Sequence, residues 1–169
     1  MRHARPEWGD MRPTRLLERL APLPRLRDAL MARGHALAES VDRRTLETVA
    51  LRVAVVRDSA YEWVAHTSIC MRNGFLTEQE IARIAGGADW LTGADAATVQ
   101  AVDDLLHLGR LGGATRVAVG DRALDIQAVT IFYDVLADVA AGLEPEQSPV
   151  PRLETHQLAT AILKPGDHA

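Results

Sequence analysis

The sequence predicts an all-α fold, and three observations support this prediction. Apolar residues make up 47% of the 169 positions while aromatic residues make up only 4%, so alanine, valine, leucine and isoleucine must supply most of the core. Alanine and leucine favour helix over strand. Apolar positions recur with helical spacing along most of the chain, and residues that begin or end helices stand at the boundaries of these segments.

Two helices are predicted in the N-terminal part of the chain. Residues 14–20 form a short apolar segment that Pro22 and Pro24 end. Residues 26–40 follow with apolar side chains at helical spacing. We expect a short helix and then a longer one.

The third predicted helix is the most apolar part of the chain. Asp42 is positioned to cap its N-terminus, and residues 45–56 are apolar on nearly every side apart from Glu47 and Arg52. A helix of this kind is buried over most of its circumference. The sequence therefore places this helix at the centre of the core.

Four further helices are predicted towards the C-terminus. Each begins near a serine, threonine or aspartate, and most end at a glycine. They cover residues 59–74, 77–87, 95–108 and 121–141. The second of them opens on Thr77 and Glu80, the spacing of a capping box. For the last, Asp121 is the predicted cap, and the predicted apolar face consists of Leu124, Ala128, Ile131, Phe132, Val135 and Val139.

Three segments are predicted along the chain. Residues 1–40 are expected to form an N-terminal helical extension, and residues 41–142 a single helical domain. Residues 143–169 contain a proline-rich stretch typical of a linker, followed by a possible tail helix over residues 153–163. A chain of 169 residues is long enough for one domain with its own core.

Composition excludes several classes of protein. The single cysteine excludes an internal disulfide framework and a thiolate zinc cluster, and we expect neither a metal nor a cofactor. No apolar run approaches the length of about 18 residues needed to span a membrane, and Met1–Asp10 does not resemble a signal peptide, so a cytoplasmic protein is expected. Ten arginines lie among residues 1–45, but they alternate with leucines and acidic residues, which argues against nucleic-acid binding.

The fourth predicted helix carries a polar stripe. On an ideal helix, Ser59, Glu62, His66 and Cys70 fall within about 80° of one another. A carboxylate and an imidazole one turn apart are within hydrogen-bonding reach. Such a pair can exchange a proton near neutral pH, which indicates acid/base chemistry.

Each member of the stripe also has an interpretation without catalysis. Ser59 and Glu62 have the spacing of a capping box, and Cys70 is typical of a small residue packed in a core. Because an unpaired carboxylate is costly inside a protein, Glu47 needs an exposed edge or a partner such as His66 or Arg57. The aromatic rings of Tyr61 and Trp63 flank Glu62, where core packing and substrate contact are both open. From the residues alone, the stripe indicates a site without deciding its role.

The spacing of these residues resembles a known family. AhpD-like proteins carry a glutamate, eleven residues, C-x-x-C, three residues and a histidine; here Glu47, Ser59, Glu62 and His66 occupy these positions, with both cysteines replaced. Residues 61–66 also resemble the Y-E-W-x-x-H segment of the thiol-free branch, which is similar to carboxymuconolactone decarboxylases. The resemblance extends over about residues 12–142.

The resemblance implies an AhpD-like helical domain that assembles as a homo-trimer or hexamer. It implies non-redox acid/base catalysis, a decarboxylation or related lyase reaction, on a small carboxylated lactone or carbonyl acid. Glu47, Glu62 and His66 would be the catalytic residues. Ser59, Tyr61 and Trp63 are predicted to contact the substrate, and Arg52 or Arg57 are candidates to hold its carboxylate.

Two alternatives follow from the same resemblance. One is an AhpD-like thiol peroxidase, against which the loss of the cysteine pair argues because Cys70 stands elsewhere on the helix. The other is an oligomer that binds a ligand or serves a structural role after losing its chemistry. Neither would require the acid/base pair to turn over a substrate.

Overall fold

The computed structural model describes residues 15–143, which form α-helices joined by short turns, with no strand among them. The prediction of an all-α fold is therefore confirmed for this part of the chain. The helices are α1 (Arg15–Arg19), α2 (Pro24–Ser40), α3 (Arg43–Val56), α4 (Ala60–Asn73), α5 (Glu78–Gly86), α6 (Gly93–Leu108), α7 (Gly113–Val119) and α8 (Ala123–Leu143). Short 3₁₀ turns precede α6 and α8.

The helix ends follow the local chemistry that the sequence predicted. The Asp42 side chain accepts a hydrogen bond from the backbone N–H of Thr45 at the start of α3. Gly74 ends α4 in the left-handed region, with φ of 68°, a conformation that glycine adopts without steric cost. At the start of α5, Thr77 and Glu80 form both halves of a capping box. These residues fix where α3, α4 and α5 begin and end.

Helix α3 lies at the centre of the core, as expected from its apolar sequence. One face, including Val49 and Val53, packs with residues of α6 and α8, among them Val102 and Ile126. The opposite face packs through Leu51 and other side chains against α4 and α5. A helix surrounded on all sides holds its polar side chains away from bulk water, and this is the setting of Glu47.

Two arginines of α3 anchor the helices around it. Arg44 donates hydrogen bonds to the carboxylates of Glu80 on α5 and Asp95 on α6. Arg52 donates to Asp103 on α6 and to the carbonyl oxygens of Ile84 and Ala85 at the end of α5. Forked guanidinium groups suit such multiple contacts. Helices α5 and α6 are thereby held to α3 by charge as well as by apolar packing.

The prediction for the last helix is wrong in two respects. Asp121 lies in a 3₁₀ turn and does not cap α8, which begins at Ala123. Three members of the predicted apolar face lie outside the core: Leu124, Ile131 and Val135 are 77%, 46% and 48% exposed. Phe132 is buried as predicted, and the other buried residues of the helix are Ile126, Val129, Thr130, Tyr133, Ala137 and Ala140. Because α8 is apolar on both sides, its periodicity could not identify the inner face.

Helix α7 was not predicted, since its seven residues follow two glycines and carry little helical periodicity. No helix among residues 15–143 is long and apolar enough to cross a membrane. The division into three segments at residues 40 and 142 stays a prediction. The N-terminal residues 1–14 and the predicted linker and tail helix over residues 144–169 lie outside the described residues.

Candidate functional site

A fully buried carboxylate is the centre of the candidate site. Glu47 lies on α3 with no exposed surface. Its Oε2 lies 2.6 Å from Nδ1 of His66 on α4 and accepts a 3.7 Å hydrogen bond from the Cys70 thiol. Its Oε1 forms an ion pair of 2.7 Å with Nη2 of Arg43, one helical turn earlier. Glu47 thus has the partner that a buried carboxylate requires, and that partner is His66 together with Arg43.

The imidazole of His66 lies between two carboxylates. Opposite the Nδ1 contact with Glu47, its Nε2 lies 3.4 Å from Oε2 of Glu62, which is one turn earlier on α4. The ring of Tyr133 on α8 meets the imidazole at right angles, with 4.7 Å between ring centroids. These three neighbours hold the imidazole on both nitrogens and against an aromatic ring, so its orientation is fixed.

The surroundings of His66 favour the charged imidazolium. Burial lowers the pKa of His66, but the hydrogen bonds and negative charges of Glu47 and Glu62 outweigh it and raise the pKa to about 9. Both ring nitrogens then carry a proton at neutral pH and both donate. His66 is therefore a protonated group held between two acceptors.

Two carboxylate oxygens of the site lack a hydrogen bond among the described residues, Oε1 of Glu47 and Oε1 of Glu62, and of the two only the Glu47 oxygen has an ion pair, with Arg43. Its carboxylate is buried, Oε2 faces His66, and Oε1 has no hydrogen-bond partner among residues 15–143. A buried acceptor without a donor costs about 1–3 kcal/mol. This oxygen is accordingly the atom of the site best suited to take a hydrogen bond or a proton from another molecule.

The capping interpretation of Ser59 and Glu62 holds for one half only. The Ser59 hydroxyl accepts from the backbone N–H of Glu62, at 3.5 Å. The reciprocal contact is missing, because the backbone N–H of Ser59 donates to the carbonyl of Ala54 and the Glu62 carboxylate faces His66. The box of Thr77 and Glu80 has both halves. Capping therefore accounts for Ser59 and leaves the carboxylate of Glu62 without a structural explanation.

The thiol of Cys70 is a poor nucleophile in this position. Burial, together with the negative charge of Glu47, raises the pKa of Cys70 to about 12. The thiolate is the reactive form of cysteine, and at neutral pH this group stays protonated. Cys70 serves as a weak hydrogen-bond donor to Glu47 within an apolar cluster.

The four charged groups of the site alternate in sign along one row. Arg43 contacts Glu47, Glu47 contacts His66, and His66 contacts Glu62, so the charges run positive, negative, positive, negative when His66 is protonated. Among the described residues, no group of three or more His, Cys, Asp and Glu side chains is arranged to hold a metal ion. Arg43 keeps its proton, so a proton can be exchanged only among Glu47, His66 and Glu62, which are in contact through both imidazole nitrogens.

The residues predicted to contact substrate are not gathered around this row. Ser59 is occupied as the cap of α4. Tyr61 packs in an apolar cluster with Leu16, Leu20 and Ala140, while Trp63 packs in a different cluster that includes Leu51. Their assignment as substrate contacts stays a prediction, and the structure brings together only the predicted catalytic residues.

The two arginines considered for the substrate carboxylate are both engaged. Arg52 is held by Asp103 and two backbone carbonyls, and Arg57 forms an ion pair with Asp134 on α8. Arg57 is also not the partner of Glu47. Each guanidinium is thus paired with a carboxylate on another helix.

Sequence reasoning missed two members of the site. Arg43 stands four residues before Glu47, a spacing that places two side chains on the same helical face and that could have identified it. Tyr133 is 67 residues from His66 in the chain, and no local pattern connects them. Only the packing of α8 against α3 and α4 brings this ring to the site.

Comparison with known proteins gives one match. The model of the carboxymuconolactone decarboxylase family matches residues 24–103, a range that holds Arg43, Glu47, Glu62, His66 and Cys70. Neither the curated proteins nor the solved structures gave a match to the chain.

Proposed function

From the premise that this chain belongs to the carboxymuconolactone decarboxylase family, we propose that it catalyses proton transfer in a non-redox reaction. The reaction is a decarboxylation or a related lyase step on a small carboxylated lactone or carbonyl acid. The observation that carries the proposal is the buried row Glu47–His66–Glu62, with its protonated imidazole and its free carboxylate oxygen.

The row supplies the proton that such a reaction consumes. In a decarboxylation, the bond between the carboxylate carbon and the neighbouring carbon of the substrate breaks. CO₂ leaves, and the electron pair of that bond is delocalised into the adjacent carbonyl of the substrate. The resulting carbanion takes one proton at carbon. Glu62 first takes a proton from Nε2 of the His66 imidazolium and then, as the carboxylic acid, delivers it to the carbanion, which restores the carboxylate and leaves His66 neutral. Glu47 on Nδ1 stabilises the imidazolium between turnovers, and water returns the proton that each turnover uses.

Thiol peroxidase activity is disfavoured by the surroundings of the one cysteine. Peroxide reduction by a cysteine pair needs a thiolate and a second thiol to resolve the oxidised form. Cys70 is the only cysteine of the sequence, and its pKa is raised by burial. The non-catalytic alternative makes a different prediction, namely that no reaction depends on Glu47, His66 or Glu62.

The test is a comparison of Glu62→Gln and His66→Asn with the wild type on a panel of small lactone acids and β-keto acids, measured as CO₂ release. We expect each variant to lose about 10²–10⁴-fold in rate while keeping its helical circular dichroism. Glu78→Gln, at an exposed carboxylate on α5, is the matched control and should match the wild type. Wild-type rates in both site variants would contradict the proposal and favour the non-catalytic alternative.

We propose in addition that the chain assembles with copies of itself, as a homo-trimer or hexamer. The supporting observation is the outer surface of α8, where Leu124, Ile131 and Val135 are exposed at helical spacing. Leu23, which precedes α2, and Leu26 in its first turn are also exposed apolar residues. Contiguous exposed apolar surface is typical of contact sites.

A further inference from the structure

Arg43 differs from the other arginines of α3 in the carboxylate with which its charge is paired. Arg44 and Arg52 bind carboxylates on other helices and so hold α5 and α6 against α3. Arg43 instead forms an ion pair with Glu47 on its own helix. This pair joins no two helices, and it brings a positive charge to the buried acid/base groups.

The Arg43 guanidinium is held in a fixed position at the exposed end of the row. Its central carbon lies 5.1 Å from the centre of the Phe75 ring, a cation–π contact, and its Nη2 lies 2.7 Å from Oε1 of Glu47. The Arg43 side chain is 37% exposed, whereas that of Glu47 is fully buried. Because buried charges are screened less than charges on the surface, Arg43 acts strongly on the groups behind Glu47.

Glu47 is shared by two cations. Arg43 contacts Oε1, and Nδ1 of His66 lies 2.6 Å from Oε2 of the same carboxylate. The guanidinium and the imidazolium are therefore like charges on either side of one carboxylate group. Their repulsion disappears when the imidazole gives up its proton, so Arg43 favours the neutral form of His66.

The charge of Arg43 also reaches the neighbours of this contact. Burial raises the pKa of Cys70 to about 12 and raises that of Tyr133, and the carboxylates add to both effects. In both cases the charge of Arg43 acts in the opposite direction. Since Cys70 contacts Glu47 and the ring of Tyr133 contacts His66, the imidazole lies within the same field.

A loosening influence on His66 is useful in the proposed reaction. One proton has to move from Nε2 of the imidazolium to Oε2 of Glu62, across 3.4 Å, which turns the imidazolium and the carboxylate into neutral imidazole and carboxylic acid. Glu47 opposes this step because it stabilises the imidazolium from Nδ1. Arg43 assists it, because the positive charge moves to the side of the ring that faces away from Glu47.

We propose that Arg43 is a positioning residue that eases the transfer of the proton from His66 to Glu62. For turnover the inference rests on the proposed function, whereas the effect on His66 is a property of the folded chain alone. The groups that face the imidazole, directly or through Glu47, come from α3, α4 and α8: Arg43, Glu47, Glu62, Cys70 and Tyr133. Of these, Arg43 is the one with a positive charge.

The test follows the titration of His66 by nuclear magnetic resonance in the full chain labelled with ¹⁵N-histidine, with the His66 signals assigned from His66→Asn. In Arg43→Gln, the midpoint should lie about one pH unit above that of the wild type, as expected for the loss of a nearby like charge. Arg43→Lys keeps the charge and should titrate close to the wild type. Arg72→Gln is the control, since Arg72 is an exposed arginine on the same helix as His66 and donates to the carbonyl oxygen of Ser68.

Three results of the titration would overturn the inference. They are a midpoint in Arg43→Gln that is unchanged or lower, an equal rise in Arg72→Gln, and an equal rise in Arg43→Lys. If circular dichroism shows that Arg43→Gln does not fold, Arg43→Met takes its place, because its apolar side chain can still pack on Phe75. Arg43→Lys also decides by itself, since a shifted midpoint in a variant that keeps the charge contradicts an effect of charge.

The effect on turnover is measured on an active substrate. Arg43→Gln should lower kcat about tenfold with little change in KM, because one pH unit in the titration of His66 corresponds to a factor of ten in the release of its proton. A wild-type kcat in Arg43→Gln, with Glu62→Gln and His66→Asn inactive, would overturn the inference and leave the proposed function standing. Wild-type rates in Glu62→Gln and His66→Asn would overturn the proposed function, while the titration, made without substrate, still decides the effect of Arg43 on His66.

Discussion

Two regions of the molecule differ from the usual arrangement of charged side chains outside and apolar side chains inside: the interior between α3 and α4, and the outer face of α8. Between α3 and α4, the charged groups of Glu47, Glu62 and His66 are buried. On the outer face of α8, Ile131 and Val135 are about half exposed. Both regions belong to strongly apolar helices, so the apolar character of a helix does not by itself tell which of its residues meet water.

The difference shows where the sequence departs from what folding alone favours. Buried ion pairs give at most a small net gain in stability, because desolvation offsets their attraction. Exposed aliphatic side chains give none. Departures of this kind are expected where a protein binds or reacts. The comparison therefore supports the two proposals made above, an internal site and an external contact surface, and each can be tested by changes that should affect only one of them.

The largest expected effect on stability is at Glu47. Glu47→Ala leaves His66 without its closest partner and removes the contacts of Arg43 and Cys70, and breaking a buried ion pair costs about 3–5 kcal/mol. Urea denaturation of the variant should show this loss in the free energy of unfolding. Glu78→Ala, at an exposed position on α5, should change it by less than about 0.5 kcal/mol. Equal losses in the two variants would mean that the buried row contributes no more than a surface charge.

The second effect is a dependence of stability on pH. The pKa of His66 is raised from its ordinary value of 6.5 to about 9 in the folded chain, so protonation favours the folded state. The contribution is complete below pH 6.5 and is lost as the pH rises through 9, with a size on the order of a few kcal/mol. Urea denaturation between pH 6 and pH 9.5 should show stability falling in this range. The fall should be absent in His66→Phe, and an equal fall in that variant would assign it to other groups.

A smaller effect is expected at Cys70. Cys70→Ser keeps a donor near Glu47 but places a more polar group in an apolar cluster, and we expect a loss of about 1 kcal/mol. Reduction of an alkyl hydroperoxide should be at background in the wild type and unchanged in the variant. Robust peroxide reduction that Cys70→Ser abolishes would instead support thiol chemistry.

The smallest effect on the folded chain is expected on the outer face of α8. Ile131→Lys replaces a 46% exposed side chain and should change the unfolding free energy of the monomer by less than about 0.5 kcal/mol. If this face lies between copies of the chain, light scattering should show the mass falling towards 18.4 kDa. Val117→Lys on α7, where Val117 is 82% exposed, is the control and should leave the mass unchanged. A wild type that is already monomeric at micromolar concentration would contradict the proposed assembly.

Local chemistry made much of the fold predictable. Asp42, Gly74 and the pair Thr77 and Glu80 act on backbone groups only a few residues away, so their role can be derived from the sequence. The polar stripe of α4 was predictable for the same reason, because helical geometry fixes which side chains share a face. The structure brings Glu62, His66 and Cys70 together with Glu47.

The remaining features depend on how helices pack, which no short segment encodes. Both sides of α8 are apolar, so the position of α3 decides which side faces the core. For this reason the sequence predicts Leu124 on the buried face, whereas the structure exposes it. The contact of Tyr133 with His66 joins distant parts of the chain. Arg52 forms an ion pair with Asp103, and Arg57 forms one with Asp134. Both pairs likewise join helices that meet only in the folded state.

The contact of His66 with two carboxylates also sets which protonation state the imidazole holds between encounters with another molecule. A base with a pKa of about 9 captures protons readily from neutral water and releases them reluctantly. Replacing a carboxylate on carbon by hydrogen takes up one proton from the medium in each cycle, and a group that reloads readily suits this demand. The opposite task, removing protons from carbon and discharging them to water, would be slowed at its discharge step. In the proposed reaction, His66 would thus be the group that is already loaded with the proton when the substrate arrives.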